Sequence, residues 1–197
     1  GPAVPDTSTC AQALAIAEKY HLNLSEQAKT LLQQETPKAL GNVTTRITGS
    51  VRELCTAAAD ACRKLGYEPV VLTDRLCCEA REAGSFLGSI VRTHAGQGKR
   101  LAFIAGGETV VHLTGKGLGG RNQELALAAA PALAGLEHCC VFSVGSDGTD
   151  GPTDAAGGYV DGDTAAALAA AGWNVFDALQ NNDAYHALQA VEGLILT

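Results

Sequence analysis

The chain has no block of five or more lysines or arginines, and its 14 basic side chains are outnumbered by 21 acidic ones, for a net charge of -7. That balance argues against a nucleic-acid footprint or a basic membrane patch. No apolar run reaches the ~18 residues of a membrane span, and the N-terminus lacks a secretory-signal pattern. A cytoplasmic protein is expected, with a mitochondrial form left open because a targeting segment would lie upstream of Gly1. The seven cysteines contain no C-x-x-C spacing, so neither a zinc site nor a disulfide framework is indicated. Packing as reduced thiols is the expectation for all seven, including Cys140 in the apolar run CCVFSV. His21, His94, His112, His138 and His186 form no H-x-x-x-H and pair with no cysteine, and read as structural or exposed.

What is present is 197 residues, 46% of them hydrophobic, enough for one sizeable core. Residues 1–38 stand apart. Proline-punctuated GPAVPDTSTC offers Thr7 and Ser8 as caps, then AQALAIAEKY and LSEQAKTLLQQ read as two short helices. Helices this short are marginal alone, so the arm is expected to pack on something. From residue 41 the pattern alternates. Strand-like NVTTRIT, EPVVLT, RLAFIAGG, CCVFSVG and LILT are interleaved with helical patterns over 51–65, 77–95, RNQELALAAAPALAGL, DTAAALAAAG and 182–191. Pro131 should kink its helix or start a new turn, and IAGGETVVHLT admits a hairpin. The predicted fold is α/β, a three-layer sandwich with a mixed, mostly parallel sheet, preceded by the helical arm. The domains would be an arm over 1–38 and an α/β domain over 39–197.

Two glycine-bearing segments carry the chemistry. GKGLGGRNQE follows a strand pattern and opens a helical one. Gly115, Gly117 and Gly120 formally match G-x-G-x-x-G, and the next strand ends near Asp147, which raises a dinucleotide-binding oxidoreductase. Against it, Arg121 and Asn122 stand where a pyrophosphate would meet bare helix amides. Lys116 is followed by glycine, so the segment is no Walker A loop. First-turn amides and a guanidinium fork do suit phosphate or carboxylate; the plainer alternative is a tight turn with Arg121 solvated. SVGSDGTDGPTDAAGG places Asp147, Asp150 and Asp154 among glycines, at the sheet edge where open α/β folds keep ligands. They could hold Mg2+, or else make Asx-turns and a helix cap. Glu108, after two glycines at a strand end, is either a further edge residue or a surface turn. A non-catalytic regulatory module is a third reading.

GGETVVHLTGKGLGGRNQELALAAA, SDGTDGPTDAAGGYVD and NNDAYHAL together resemble the C-terminal MOFRL domain of the type II glycerate kinases. The resemblance implies ATP- and Mg2+-dependent phosphorylation of D-glycerate to 2-phosphoglycerate in a cleft between two domains. By this resemblance Arg121 is similar to a catalytic residue of the family, stabilising the transferred phosphoryl group or holding the substrate carboxylate. Lys116, Gly119, Gly120, Glu108, Asn122 and Glu124 would line the substrate and nucleotide site, with Asp147, Asp150 and Asp154 toward the metal. The family's enzymes begin with a large domain carrying a catalytic lysine and close with a glycine- and threonine-rich motif. The resemblance therefore implies a fragment, inactive alone, whose partners are D-glycerate, that N-terminal domain and, as a further option, a second copy in a homodimer.

Overall fold

A computed structural model describes residues 4–197, and the chain divides into two compact units, Gly1–Thr48 and Gly49–Thr197. In the first, helix α1 (Cys10–Lys19) starts at Thr9, whose hydroxyl accepts from the Gln12 amide while Gln12 answers in a capping box. The cap is thus one or two residues later than Thr7 or Ser8. Helix α2 (Glu26–Leu32) is capped by Ser25, and neither helix buries a residue. The unit closes through polar contacts, with Thr36 Oγ1 donating to Asp6 Oδ2 at 2.9 Å and the Cys10 amide donating to Glu35 Oε1 at 3.0 Å. NVTTRIT forms no strand.

The second unit opens with α3 (Val51–Lys64), capped by Ser50 and stopped at Gly66 with φ +80°. Strand β1 (Glu68–Leu76), helix α4 (Ala80–His94) and strand β2 (Leu101–Gly107) follow, and β1 and β2 pair in parallel. The chain beyond β2 does not turn back into a hairpin. It continues alongside the same neighbour, the Glu108 amide donating to Leu76 O at 2.8 Å and the Val110 amide to Cys78 O at 3.0 Å.

Helix α5 (Arg121–Leu133) is the centre of the unit, with Gln123 through Ala130 and Leu133 all buried. It runs through Pro131, which forgoes one backbone hydrogen bond near the helix end. Strand β3 (Cys140–Val144) pairs antiparallel with β4 (Gly157–Asp161), and β4 in turn with β5 (Leu194–Ile195) after helices α6 (Thr164–Ala170), α7 (Val175–Gln180) and α8 (Ala184–Gln189). The class is α/β as expected. The strands, however, form a parallel pair and a separate antiparallel triplet rather than one mostly parallel sheet.

The aspartate segment therefore joins two antiparallel strands instead of leading from strand to helix. Asp163 stands at the α6 cap position without a cap bond; Asp161 Oδ1 accepts from the Asp163 and Thr164 amides at 3.1 Å each. The Thr164 hydroxyl and these amides hold the Asp161 carboxyl below its ordinary value. All seven cysteines are free; Cys55 is buried, whereas Cys77 and Cys140 are exposed, contrary to uniform packing. No helix among the described residues is long and apolar enough to cross a membrane.

Candidate functional site

The first turn of α5 decides what GKGLGGRNQE is for. Asp150, only 3% exposed, turns its carboxylate onto that turn. Oδ1 accepts from the Asn122 amide and from Asn122 Nδ2, each at 3.0 Å, and Oδ2 accepts from the Gln123 amide at 2.8 Å. A carboxylate on free first-turn amides is what the helix dipole favours. The chain thus supplies its own anion where a phosphate was expected. Gly120 permits this, because a Cβ there would overlap the Asp150 carboxyl group. Asn122 is committed as well, accepting from Ser143 Oγ at 2.6 Å.

The other two motif glycines answer to the NND segment. A Cβ on Gly115 would overlap Asn181, and one on Gly117 would overlap Asp183. The side chains of that segment take the loop amides: Asn182 Oδ1 accepts from Thr114 and Gly115 at 2.7 and 2.9 Å, Asn181 Oδ1 from Lys116 at 3.1 Å, and Asp183 Oδ1 from Leu118 at 3.0 Å. The glycines are places of close backbone approach between chain segments, not a dinucleotide cradle. This removes the geometric basis of the oxidoreductase reading.

Arg121 differs from its neighbours in pointing outward. Its side chain is 49% exposed and Nη1 donates to Glu108 Oε1, whose side chain is 77% exposed, with a second contact to Thr109 O at 3.4 Å. Asp147 is exposed on the same side, close enough for the guanidinium to help lower its pKa, although the Thr149 amide donating to it is the main cause. Arg121 and Glu108 are therefore brought together, with Asp147 near enough to feel the guanidinium's charge.

The remaining expected site residues are not. Lys116 is exposed with its backbone held by Asn181, and Gly119 lies against Gly151. Asp150 caps α5, and Asp154 accepts from Tyr185 Oη at 2.8 Å. Among the described residues no three His, Cys, Asp or Glu side chains converge as a metal site. The three aspartates do not converge as a set of Mg2+ ligands: Asp147 makes an Asx-type turn with the Thr149 amide, Asp150 caps α5 from a distant segment, and Asp154 is held by the Tyr185 hydroxyl.

Glu124 is a second correction. It is 2% exposed and faces inward, accepting from Asn182 Nδ2 at 3.2 Å. Burial raises its carboxyl above the ordinary glutamate value, outweighing Asn182 and Arg81, which both oppose that shift. Arg81 Nε lies 3.4 Å from Glu124 Oε1 and 2.7 Å from Glu79 Oε1, and His112 Nδ1 is 3.2 Å from Glu79 Oε2. Sequence reasoning missed Glu79, Arg81 and Asn182. The first two sit in CCEAREA, which reads as an ordinary solvated helix start. Asn182 did carry a signal, since an asparagine pair between helices marks a site for left-handed backbone, and its φ is 52°.

A family model described as the MOFRL family matches residues 101–197, the stretch that holds β2, the clamped loop, α5 and the NND segment. Residues 101–197 form a MOFRL-family domain. Over its whole length the chain is 49% identical to a D-glycerate 2-kinase of Thermotoga maritima and 36% identical to a glycerate 2-kinase of Pyrococcus horikoshii, spanning 48% of each. A crystal structure of glycerate kinase from Thermotoga maritima matches with a TM-score of 0.81 at 48% identity, over 100% of this chain and 49% of that one. The chain thus spans about half the length of the curated relatives it matches. Within the MOFRL domain, Arg121 is an exposed cation at a helix start whose Asn122 and Gln123 amides are already taken by Asp150.

Proposed function

We propose that the chain is part of a glycerate kinase that transfers the γ-phosphoryl group of ATP to D-glycerate, giving 2-phosphoglycerate. The observation that carries this reading is the Arg121 guanidinium, exposed at the start of α5 and held, among the described residues, only by the exposed carboxylate of Glu108 and a backbone carbonyl. Phosphoryl transfer asks little of a protein beyond positioning and neutralising charge on the transferred group. A guanidinium fork matches either the phosphoryl oxygens or the substrate carboxylate. A surface ion pair contributes little, so Glu108 yields Arg121 to an arriving anion at low cost.

Mg2+ would travel with ATP in such a reaction, and Asp147, Asp150 and Asp154 do not converge as a set of ligands for it. The site would be completed by a second domain of the kind the relatives' greater length accommodates. Bacterial and archaeal relatives support a cytoplasmic setting. The test is a chimera in which this chain replaces the matching half of the Thermotoga maritima enzyme. Phosphorus NMR of the product formed from ATP and D-glycerate should show 2-phosphoglycerate; a folded chimera giving ADP without any phosphoglycerate would contradict the reading.

A further inference from the structure

The NND segment has no part in the chemistry proposed above, yet one of its members ties together the loop and the helix on either side of Arg121. Asn182 is 5% exposed and sits in left-handed backbone, φ 52°, which asparagine tolerates better than other non-glycine residues. Both ends of its amide are in use. Oδ1 accepts from the amides of Thr114 and Gly115, and Nδ2 donates to His112 O at 3.1 Å and to Glu124 Oε2. Glu124 lies one helical turn after Arg121 on α5. The loop preceding Arg121 and the helix bearing it are therefore fastened at one buried point.

We propose that Asn182 is a positioning residue for Arg121, fixing the Thr114–Gly115 backbone against α5 through Glu124. This rests on the glycerate kinase reading of the site. A buried amide with four partners leaves no slack, because shifting the loop would strand polar groups away from water. The consequence is that the approach to Arg121 is held in register with the helix before any substrate arrives, the tolerance that catalytic groups require. An asparagine that merely supports the fold would alter stability and leave turnover by the folded protein unchanged.

Asn182→Gly keeps the left-handed backbone and deletes the clamp; Asn182→Asp keeps the acceptor for both loop amides and deletes the donor. In this chain, hydrogen exchange at Thr114 and Gly115 should quicken about tenfold or more in Asn182→Gly, with α5 amides such as Ala129 unchanged. In the folded chimera, kcat/KM should fall about a hundredfold in Asn182→Gly and less in Asn182→Asp. Loop amides that stay protected in Asn182→Gly overturn the clamp. Exposed loop amides with undiminished kcat/KM overturn the positioning role. If Asn182→Gly does not fold, Asn182→Asp decides: protected loop amides with reduced kcat/KM support the proposal, and either unprotected amides or undiminished kcat/KM overturn it. No turnover in the unsubstituted chimera overturns the kinase reading and, with it, the positioning role, while the exchange result still judges the clamp.

Discussion

Asp150 shows how one side chain can convert an expected ligand site into a structural one. Its carboxylate meets the first-turn amides of α5 from another segment of the chain, and Asp150→Ala would leave those amides buried without an acceptor. The expected loss is about 1 to 3 kcal/mol, read as a lower denaturant midpoint at unchanged slope. Glu124 makes a prediction of opposite character. Its folded pKa is raised by burial, so the folded chain holds the proton more tightly, and stability falls as pH rises between the unfolded and folded values. Against Glu124→Gln, the wild type should lose relative stability from about pH 4 upward. Asp161 runs the other way: its lowered pKa gives stability that is present above the unfolded carboxylate value and lost as pH falls through the folded one. Urea midpoints measured from pH 3 to pH 7 on Glu124→Gln and Asp161→Asn check both signs.

Among the elements, α5 is the one on which the others depend. Leu127 and Leu133 are fully buried in it, and Leu127→Ala should cost about 2 to 5 kcal/mol by leaving a cavity. Its contact with α4 is close because Gly84 and Gly88 face it. A methyl on Gly84 would overlap the Leu125 carbonyl, and one on Gly88 would come within 2.8 Å of the Ala132 methyl. Gly84→Val should therefore destabilise more than Leu127→Ala, since backbone cannot be repacked as a side chain can, and thermal melts of the two variants make the comparison. Most helices were legible in sequence, because runs of helix formers such as RNQELALAAA are local signals, although α7 was not anticipated and the first cap fell at Thr9 rather than Thr7 or Ser8. Strand β4 was not: in AAGGYVD the glycines are demanded by neighbours, Gly157 by Ser143 and Gly158 by Leu188 and Ala126, so no alternation survives. Missing β4 made the aspartate segment look like a strand-to-helix turn. At the candidate site Arg121 and Glu108 could be picked out as polar residues beside glycines, whereas partners such as Asn182 and Arg81 depend on contacts far apart in sequence.

At the scale of the whole molecule the two units are unequal. Among the described residues every buried side chain lies in 49–197, while the helices of the first unit bury none. Residues 49–197 expressed alone should melt cooperatively and residues 1–48 should not, because without buried apolar surface nothing offsets the chain entropy; calorimetry on the two pieces tests this. The larger unit holds the MOFRL domain, and its organisation gives the site its character: the backbone amides of the α5 start and of the preceding loop are largely taken by side chains of the same chain, so an arriving anion meets the exposed side chains, Arg121 foremost. The most direct measurement is glycerate-dependent release of ADP from ATP by the chimera and by its Arg121→Ala form. The account predicts turnover in the first and a loss of about a thousandfold or more in the second, with melting temperatures that differ little because an exposed ion pair contributes little. Near-normal turnover in a folded Arg121→Ala chimera would contradict it.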